Sequence, residues 1–240
     1  MDGEGNFFKQ IMVIIIISMK PAELLELLEH KRTAIVTDDD YSATTLLYYT
    51  IAPLVKEKLH LVVYSEIMCR KLGIVFDSIV RDEPRLKDVI DNLRVIKIGK
   101  KEEVAYGKLV AFVDESKDIH ETVRELQRIM NRLEDNSIVV FLGSGLAIHK
   151  YGISTVVKAT EELFSGIKSS LTELYFIPSP VSMNVIAKLF DVVIRVKRSE
   201  DFDIMASARV YDVYVEHSIL RELPPTPLYR IQDTELHEII

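Results

Sequence analysis

Apolar positions follow two alternating rhythms along this chain. Dense apolar runs bounded by polar or turn residues, the mark of strands buried on both faces, occur at residues 33–37 (TAIVT), 61–64 (LVVY), 138–142 (IVVFL) and 192–196 (VVIRV). Residues 93–98 (LRVIKI) alternate and are ended by Gly99, and shorter runs at 109–113 and 174–177 read as further strands, the latter closed by Pro178 and Pro180. Between them the spacing is helical. Residues 21–29 place Leu24, Leu25, Leu27 and Leu28 on one side, with Pro21 in the first turn. A helix is predicted over 42–58, kinked or divided by Pro53. Short helical pieces follow at 67–72 and 76–79, then a charged loop at 81–85 that holds Pro84. Apolar residues at 119, 123, 126, 129, 130 and 133 define another helix, and 153–167 and 181–190 two more. Residues 38–41 read as a polar turn, and Gly143 to Gly145 as a break after the strongest strand.

Strands and helices thus alternate from residue 33 to about 197, which predicts a mostly parallel sheet covered on both faces, an α/β three-layer sandwich. Alternation over 204–215 adds antiparallel strands at the C-terminal edge. We read residues 20–222 as one α/β domain and 223–240, with Pro224, Pro225 and Pro227, as an extended tail. Residues 1–19 form an apolar N-terminal arm or an upstream extension. Its run IMVIIIISM at 11–19 falls short of the ~20 apolar residues a membrane span needs. Lys9 precedes that run as in a signal peptide, but Met19-Lys20-Pro21 stands where a small-residue cleavage site belongs. An added edge strand or swapped arm, a chain start at Met19, and a membrane role are the readings it leaves.

Composition changes this picture only by exclusion. The 240 residues are 48% hydrophobic and 28% charged, with net charge -7. A nucleic-acid binder needs a basic surface to displace counterions, so nucleic acid is not an expected partner. The single cysteine, Cys69, forms no internal disulfide and fits a reducing cytoplasm.

The candidate chemistry lies at strand ends. In a phosphate-binding loop, G-x-x-x-x-G-K-[ST] follows a strand; backbone N–H groups wrap phosphate, the lysine reaches its terminal oxygens and the hydroxyl binds magnesium. The equivalent stretch here is Thr37-Asp-Asp-Asp-Tyr-Ser-Ala-Thr-Thr45, with Thr37 and Ser42 at the glycines, Ala43 at the lysine and Thr44 at the hydroxyl. Asp38, Asp39 and Asp40 add negative charge beside any polyphosphate, about 4 kcal/mol each at 4 Å and an effective dielectric of 20. Their expected role is capping the next helix, through Asp40 or Ser42, rather than holding a metal. An ATPase also keeps an acidic residue at the end of an apolar strand to orient magnesium; Gly143 stands there.

Other residues offer weaker signals. Ser144 and Gly145 resemble part of a dinucleotide turn that AIHKYG does not complete. Glu66, after the second strand, lies where a glutamate polarising water would sit, and is read as a solvated surface residue. The six histidines make no close metal pair. Lys97, Lys100, Lys101 and Lys108 cluster in sequence with Tyr106 as a solvated face.

The order strand, degenerate loop, helix, strand-Ser-Glu, then Asn92-Leu-Arg-Val-Ile-Lys-Ile-Gly99 and the strand at 138–142 resembles the RecA-like, circadian-clock-ATPase-like proteins of archaea. Closer still is a small archaeal family of unknown function in that clan, whose phosphate loop is also degenerate. Arg94-Val-Ile-Lys-Ile-Gly99 with Gly107-Lys-Leu-Val110 carries that match, and Val185-Ile-Ala-Lys-Leu-Phe-Asp-Val-Val-Ile194 resembles the clan's late helix and strand. The resemblance implies a RecA-type sheet and a cytoplasmic location, and supplies no catalytic residues.

The expected function is therefore non-catalytic: a RecA-like protein with a degenerate phosphate loop, binding a protein or small molecule. The alternative is a metal-dependent enzyme or ligand-sensing regulator using the carboxyl end of the sheet. Asp38, Asp39, Asp40, Ser42, Thr44, Glu66, Ser144 and Gly145 are the candidate cleft residues. No cofactor is expected, weak nucleotide binding stays open, and the expected partner is another copy or another protein.

Overall fold

The computed structural model describes residues 19–179, 187–199, 210–232 and 235–238. Among the described residues ten strands form one sheet in the order β10-β9-β8-β7-β1-β6-β5-β2-β3-β4. From β7 to β4 every neighbouring pair is parallel; β8, β9 and β10 extend the other edge antiparallel. The strands are β1 (Arg32–Thr37), β2 (Leu59–Tyr64), β3 (Arg94–Gly99), β4 (Lys108–Asp114), β5 (Ile138–Leu142), β6 (Thr172–Pro178), β7 (Val192–Arg198), β8 (Val210–Ser218), β9 (Pro227–Gln232) and β10 (Glu235–Glu238). The α/β class, the mostly parallel sheet and the antiparallel C-terminal edge are as the sequence predicts.

The central strands are apolar on both sides because both sides are covered. Ile35, Leu61, Val63, Val140, Leu142, Leu174 and Phe176 belong to one core, and Ala34, Val36, Val62, Phe141, Tyr175 and Ile177 to the other. Over the first core lie α1 (Pro21–Leu27), α2 (Asp40–Thr44), α3 (Ala52–Val55), α4 (Glu66–Asp82) and α5 (Lys87–Asp91); α6 (Ile119–Met130), α7 (Ser144–Tyr151) and α8 (Ile153–Gly166) belong to the other face. Chain order runs β1 to β2, outward to β3 and β4, then back to insert β5 and β6 between β2 and β1. Such a reversal opens a crevice outside the carboxyl ends of the strands.

Several elements differ from the sequence reading. Residues 67–72 and 76–79 are one helix, α4, running through Asp82, so the predicted loop at 81–85 begins two residues late and runs into a 3₁₀ turn at Pro84–Leu86. Gly143 does not end local structure: it precedes α7. The 42–58 helix is divided, as Pro53 suggests, into α2, a π-helical stretch at Thr45–Ile51, and α3. Proline has no N–H to donate and crowds the carbonyl four residues back; the wider π turns before it, with Ala52 N–H bonded to Leu47 O, remove that crowding. The Pro-rich tail is extended but not detached, since β9 and β10 pair with the sheet. Residues 1–18 of the N-terminal arm, most of the predicted 181–190 helix and residues 204–209 of the predicted edge strands lie outside the described residues. Among the described residues no helix is long and apolar enough to cross a membrane.

Candidate functional site

β1 delivers the chain to the crevice at Thr37, and α2 begins at Asp40. Only Asp38 and Asp39 connect them. Asp39 is the helix cap: its carboxylate accepts from Ser42 N–H at 2.8 Å, while Ser42 Oγ donates to Asp39 O at 3.0 Å. The sequence points to Asp40 or Ser42 for this role; the residue with extended backbone directly before the helix takes it instead. Asp39 also accepts from the Tyr211 hydroxyl, and Tyr211 stacks on Tyr41, so β8 braces the turn. Asp38 accepts from Arg198 N–H at 3.1 Å, and Asp40 pairs with Lys71 of α4. Thr44 Oγ donates to Asp40 O at 2.6 Å.

Three backbone donors of this turn are engaged. Asp38 N–H bonds Val196 O, Ser42 N–H bonds Asp39, and Ala43 N–H bonds Asp39 O. A phosphate cradle needs successive free N–H groups converging on one point. Residues 40–44, where that loop would pass, are already helix.

At the end of β5, Gly143 has φ +93°, and a Cβ there would stand 2.7 Å from Tyr64 O. Its backbone is left-handed and its side-chain direction is blocked, which accounts for the missing acid. Ser144 Oγ donates to Phe176 O at 2.9 Å, fixing the first turn of α7 to β6, and Gly145 lies against Pro178.

Glu66 is partly exposed but paired, not a free surface group. Lys97 is 2% exposed, and its ammonium lies 3.0 Å from Glu66 Oε1 and 2.7 Å from Glu103 O. The same carboxylate accepts from the N–H groups of Lys100 and Lys101 at 2.9 and 2.8 Å. Gly99 makes room: a Cβ would meet Lys97 Cε at 2.8 Å and Glu66 Oε1 at 2.9 Å. Burial pushes the Glu66 carboxyl up, but Lys97 and the two N–H donors outweigh it and hold it below the ordinary value. The carboxylate is thereby committed to structure. The lysine cluster is also dispersed: Lys97 is internal, Lys100 faces Glu115, and Lys108 donates to Asn92.

Asp38, Asp39, Asp40, Thr44, Ser144 and Gly145 do converge, around a cleft of about 620 Å³. Ser42 and Glu66 do not line it; Ser42 is buried behind the cap. The sequence reading missed the cleft's apolar wall: Leu47 and Tyr48 from the π segment, Leu72 and Val75 from α4, and Leu142 and Phe176 from the strand ends. The signal was there, since helical spacing puts Met68, Leu72 and Val75 on one side of α4. Tyr48 is 1% exposed and edge-packed on Phe76 at 4.7 Å, and burial pushes its phenol well up. Among the described residues no group of three or more His, Cys, Asp or Glu is placed to hold a metal.

No protein-family model and no curated protein matches the sequence. Solved structures do match in fold. Among them are PH0250 of Pyrococcus horikoshii (TM-score 0.63, 14% identity, 88% of this chain and 98% of that one), an ATPase domain (0.55, 8%, 94% and 92%), and the KaiC-like protein PH0186 of Pyrococcus horikoshii (0.55, 12%, 88% and 90%). At these identities the likeness is one of fold alone, and that fold is the RecA-like α/β fold.

Proposed function

We propose that this chain is a RecA-like protein with a degenerate phosphate loop that does not hydrolyse ATP, and that acts by binding a small molecule or a protein segment at the carboxyl ends of β1, β5 and β6. The β1–α2 connection carries this reading. Two aspartates join strand to helix, the N–H groups of Asp38, Ser42 and Ala43 are engaged, and three carboxylates occupy the approach that a polyphosphate would take. The two other positions of an ATPase agree with it. Gly143 has no space for an acid, and Glu66 neutralises Lys97. The activity named for the ATPase-domain neighbour is therefore not carried over to this chain. The alternative, a metal-dependent enzyme or regulator, finds no cluster of metal-ligating side chains among the described residues.

On the same reading the protein is cytoplasmic, belongs with the archaeal branch of the clan, needs no cofactor, and meets a second copy or another protein through its apolar arm. Light scattering on the full chain and on a chain lacking residues 1–18 tests the contact: the full chain should be the larger assembly, and equal masses refute it.

A thermal-shift screen of nucleotides with and without magnesium tests the main claim. A ligand at 100 times its dissociation constant stabilises the native state by about 2.7 kcal/mol. No nucleotide should approach that shift. Steady-state hydrolysis above background, abolished by Thr44→Ala or Glu66→Gln, overturns the proposal.

A further inference from the structure

The cleft continues onto an exposed apolar face. Its wall is hydrocarbon from Leu47, Leu72, Val75, Leu142 and Phe176, and its volume of about 620 Å³ lies in the range of sites that enclose a ligand. Ile67 lines it and is 68% exposed; Ile74, two turns further along the same side of α4, is 64% exposed. At the mouth, Asp38, Asp39 and Asp40 outnumber Lys71, the one lining cation among the described residues. Such a surface suits an apolar segment flanked by a cation.

The N-terminal arm has that chemistry. Residues 11–17 read IMVIIII, uncharged throughout, with Lys9 two residues ahead. In water such a run is an aggregation hazard, so it needs a covering surface. The described chain begins on the right side of the sheet to supply it. Met19 is buried, and its carbonyl accepts from the Tyr229 hydroxyl at 2.6 Å. Tyr229 stands on one row with Val213, Val196, Thr37 and Pro178, and Pro178 lines the cleft. Met19 also shares a core with Leu47, Leu72 and Phe176 of the cleft wall. The arm therefore departs at the carboxyl end of the sheet, on the face where the cleft opens.

Distance decides whose arm enters. Four strand spacings, about 19 Å, separate β9 from β6. α2 stands between them: its Tyr41 stacks on Tyr211 of β8, while Ala43 and Thr44 line the cleft. Passing over a helix about 10 Å across lengthens the path to about 30 Å. The eight residues from Met19 back to Ile11 span at most about 28 Å. A chain's own run is thus too close to its anchor to be seated whole, a limit that does not bind the arm of another copy.

We propose that residues 11–17 of a second copy occupy the cleft, with Lys9 facing the aspartates at its mouth. The inference rests on the cleft being the binding site of the proposed function, and names its occupant. An extended run turns Ile11, Val13, Ile15 and Ile17 to one side, and the cleft receives that row. Reciprocal exchange closes a dimer and withdraws both arms from water.

Cysteine cross-linking of full chains tests this. One chain carries Ile14→Cys and the other Ile67→Cys. Mixed in equal amounts with a short bismaleimide, they should give a covalent dimer at least ten-fold above wild type, whose one cysteine, Cys69, is buried. Adding Ile15→Asp to the first chain should cut that product at least ten-fold. Ile15→Asp alone should weaken self-association about ten-fold in light scattering, with the unfolding of the dilute chain unchanged. If Ile15→Asp lowers the mass but residues 14 and 67 do not cross-link, the cleft is not the arm's seat, although the arm contact of the proposed function survives. A chain carrying both cysteines that closes on itself as a dilute monomer makes its own arm the occupant and overturns the exchange. No cross-link and no change of mass overturn the arm altogether and return the cleft to a small molecule or a foreign segment. Hydrolysis of magnesium ATP by the full chain overturns the proposed function instead, whatever the cross-links show.

Discussion

Lys97 places an ammonium inside a core, and Glu66 is its ion-pair partner there. Glu66→Ala leaves a cation that is 2% exposed with only the Glu103 carbonyl. The expected loss is roughly 1–3 kcal/mol, less than for a fully buried pair because about a third of the Glu66 side chain meets water. Lys97→Met in the same chain should recover most of it, and strictly additive losses in the double-mutant cycle refute the coupling. The pH dependence has a definite sign. The folded pKa of Glu66 lies below the ordinary 4.5, so its contribution is full above that value and is lost as pH falls through the folded pKa. The stability gap between wild type and Glu66→Gln should therefore narrow below about pH 4.5; a gap independent of pH counts against the account. Gly143→Asp, which restores the acid of an ATPase strand, should cost about 1–3 kcal/mol for its left-handed backbone alone, with further loss from contact with Tyr64 O, and should gain no hydrolysis. Gly143 was legible as a missing acid. The Glu66–Lys97 pair was not, because it joins residues 31 apart through the register Tyr64↔Ile98.

Elements were legible where burial alone sets the pattern. Residues 138–142 and 192–196 read as strands because sheet faces covered on both sides demand unbroken apolar runs. Elements were lost where a glycine or proline has a packing reason that the sequence does not show. Gly73 divides the apolar spacing of α4, yet it sits inside the helix against Ala105 of the β3–β4 connection, with 3.4 Å between Ala105 Cβ and a Cβ built at Gly73. Gly143 reads as a breaker but caps α7, and the prolines before β9 hid two strands. The start of α2 separates a structural from a ligand role for the aspartates. If Asp39 is a cap, Asp39→Ala should lose about 1 kcal/mol, and Asp39→Asn, which keeps the accepting oxygen, should stay close to wild type in chemical denaturation. Equal losses in the two variants would show that its charge, not its cap, is what the fold uses.

The two ends of the sheet are built for different purposes. The carboxyl ends open into the cleft; the starting ends are locked by an ion pair between central strands, Arg32 of β1 beside Glu173 of β6. Glu173 is 2% exposed. Its carboxylate takes Arg32 Nε at 3.2 Å and the Tyr175 hydroxyl at 2.6 Å. Arg32 also donates to Phe164 O at 2.8 Å and lies 4.4 Å over the Phe164 ring, joining both strands to α8. Removing the cation strands a buried carboxylate, so Arg32→Met should cost about 3 kcal/mol. Glu173→Gln should cost less, since the remaining Arg32 is partly exposed and can be hydrated. Burial raises the Glu173 carboxyl above its ordinary 4.5, a rise that Tyr175 and Arg32 offset only in part. A raised folded pKa means the stability that protonation gives is full below about 4.5 and lost as pH climbs through the folded value. Wild type should thus lose ground to Glu173→Gln over that window, the reverse of the Glu66 trend. Because the pair lies at the far end of the strands from Tyr48 and Asp38, Arg32→Met should leave the affinity of any cleft ligand unchanged while lowering the unfolding midpoint. A variant that shifts both together would mean that the sheet transmits strain from one end to the other, and that the cleft is not the independent site the geometry indicates.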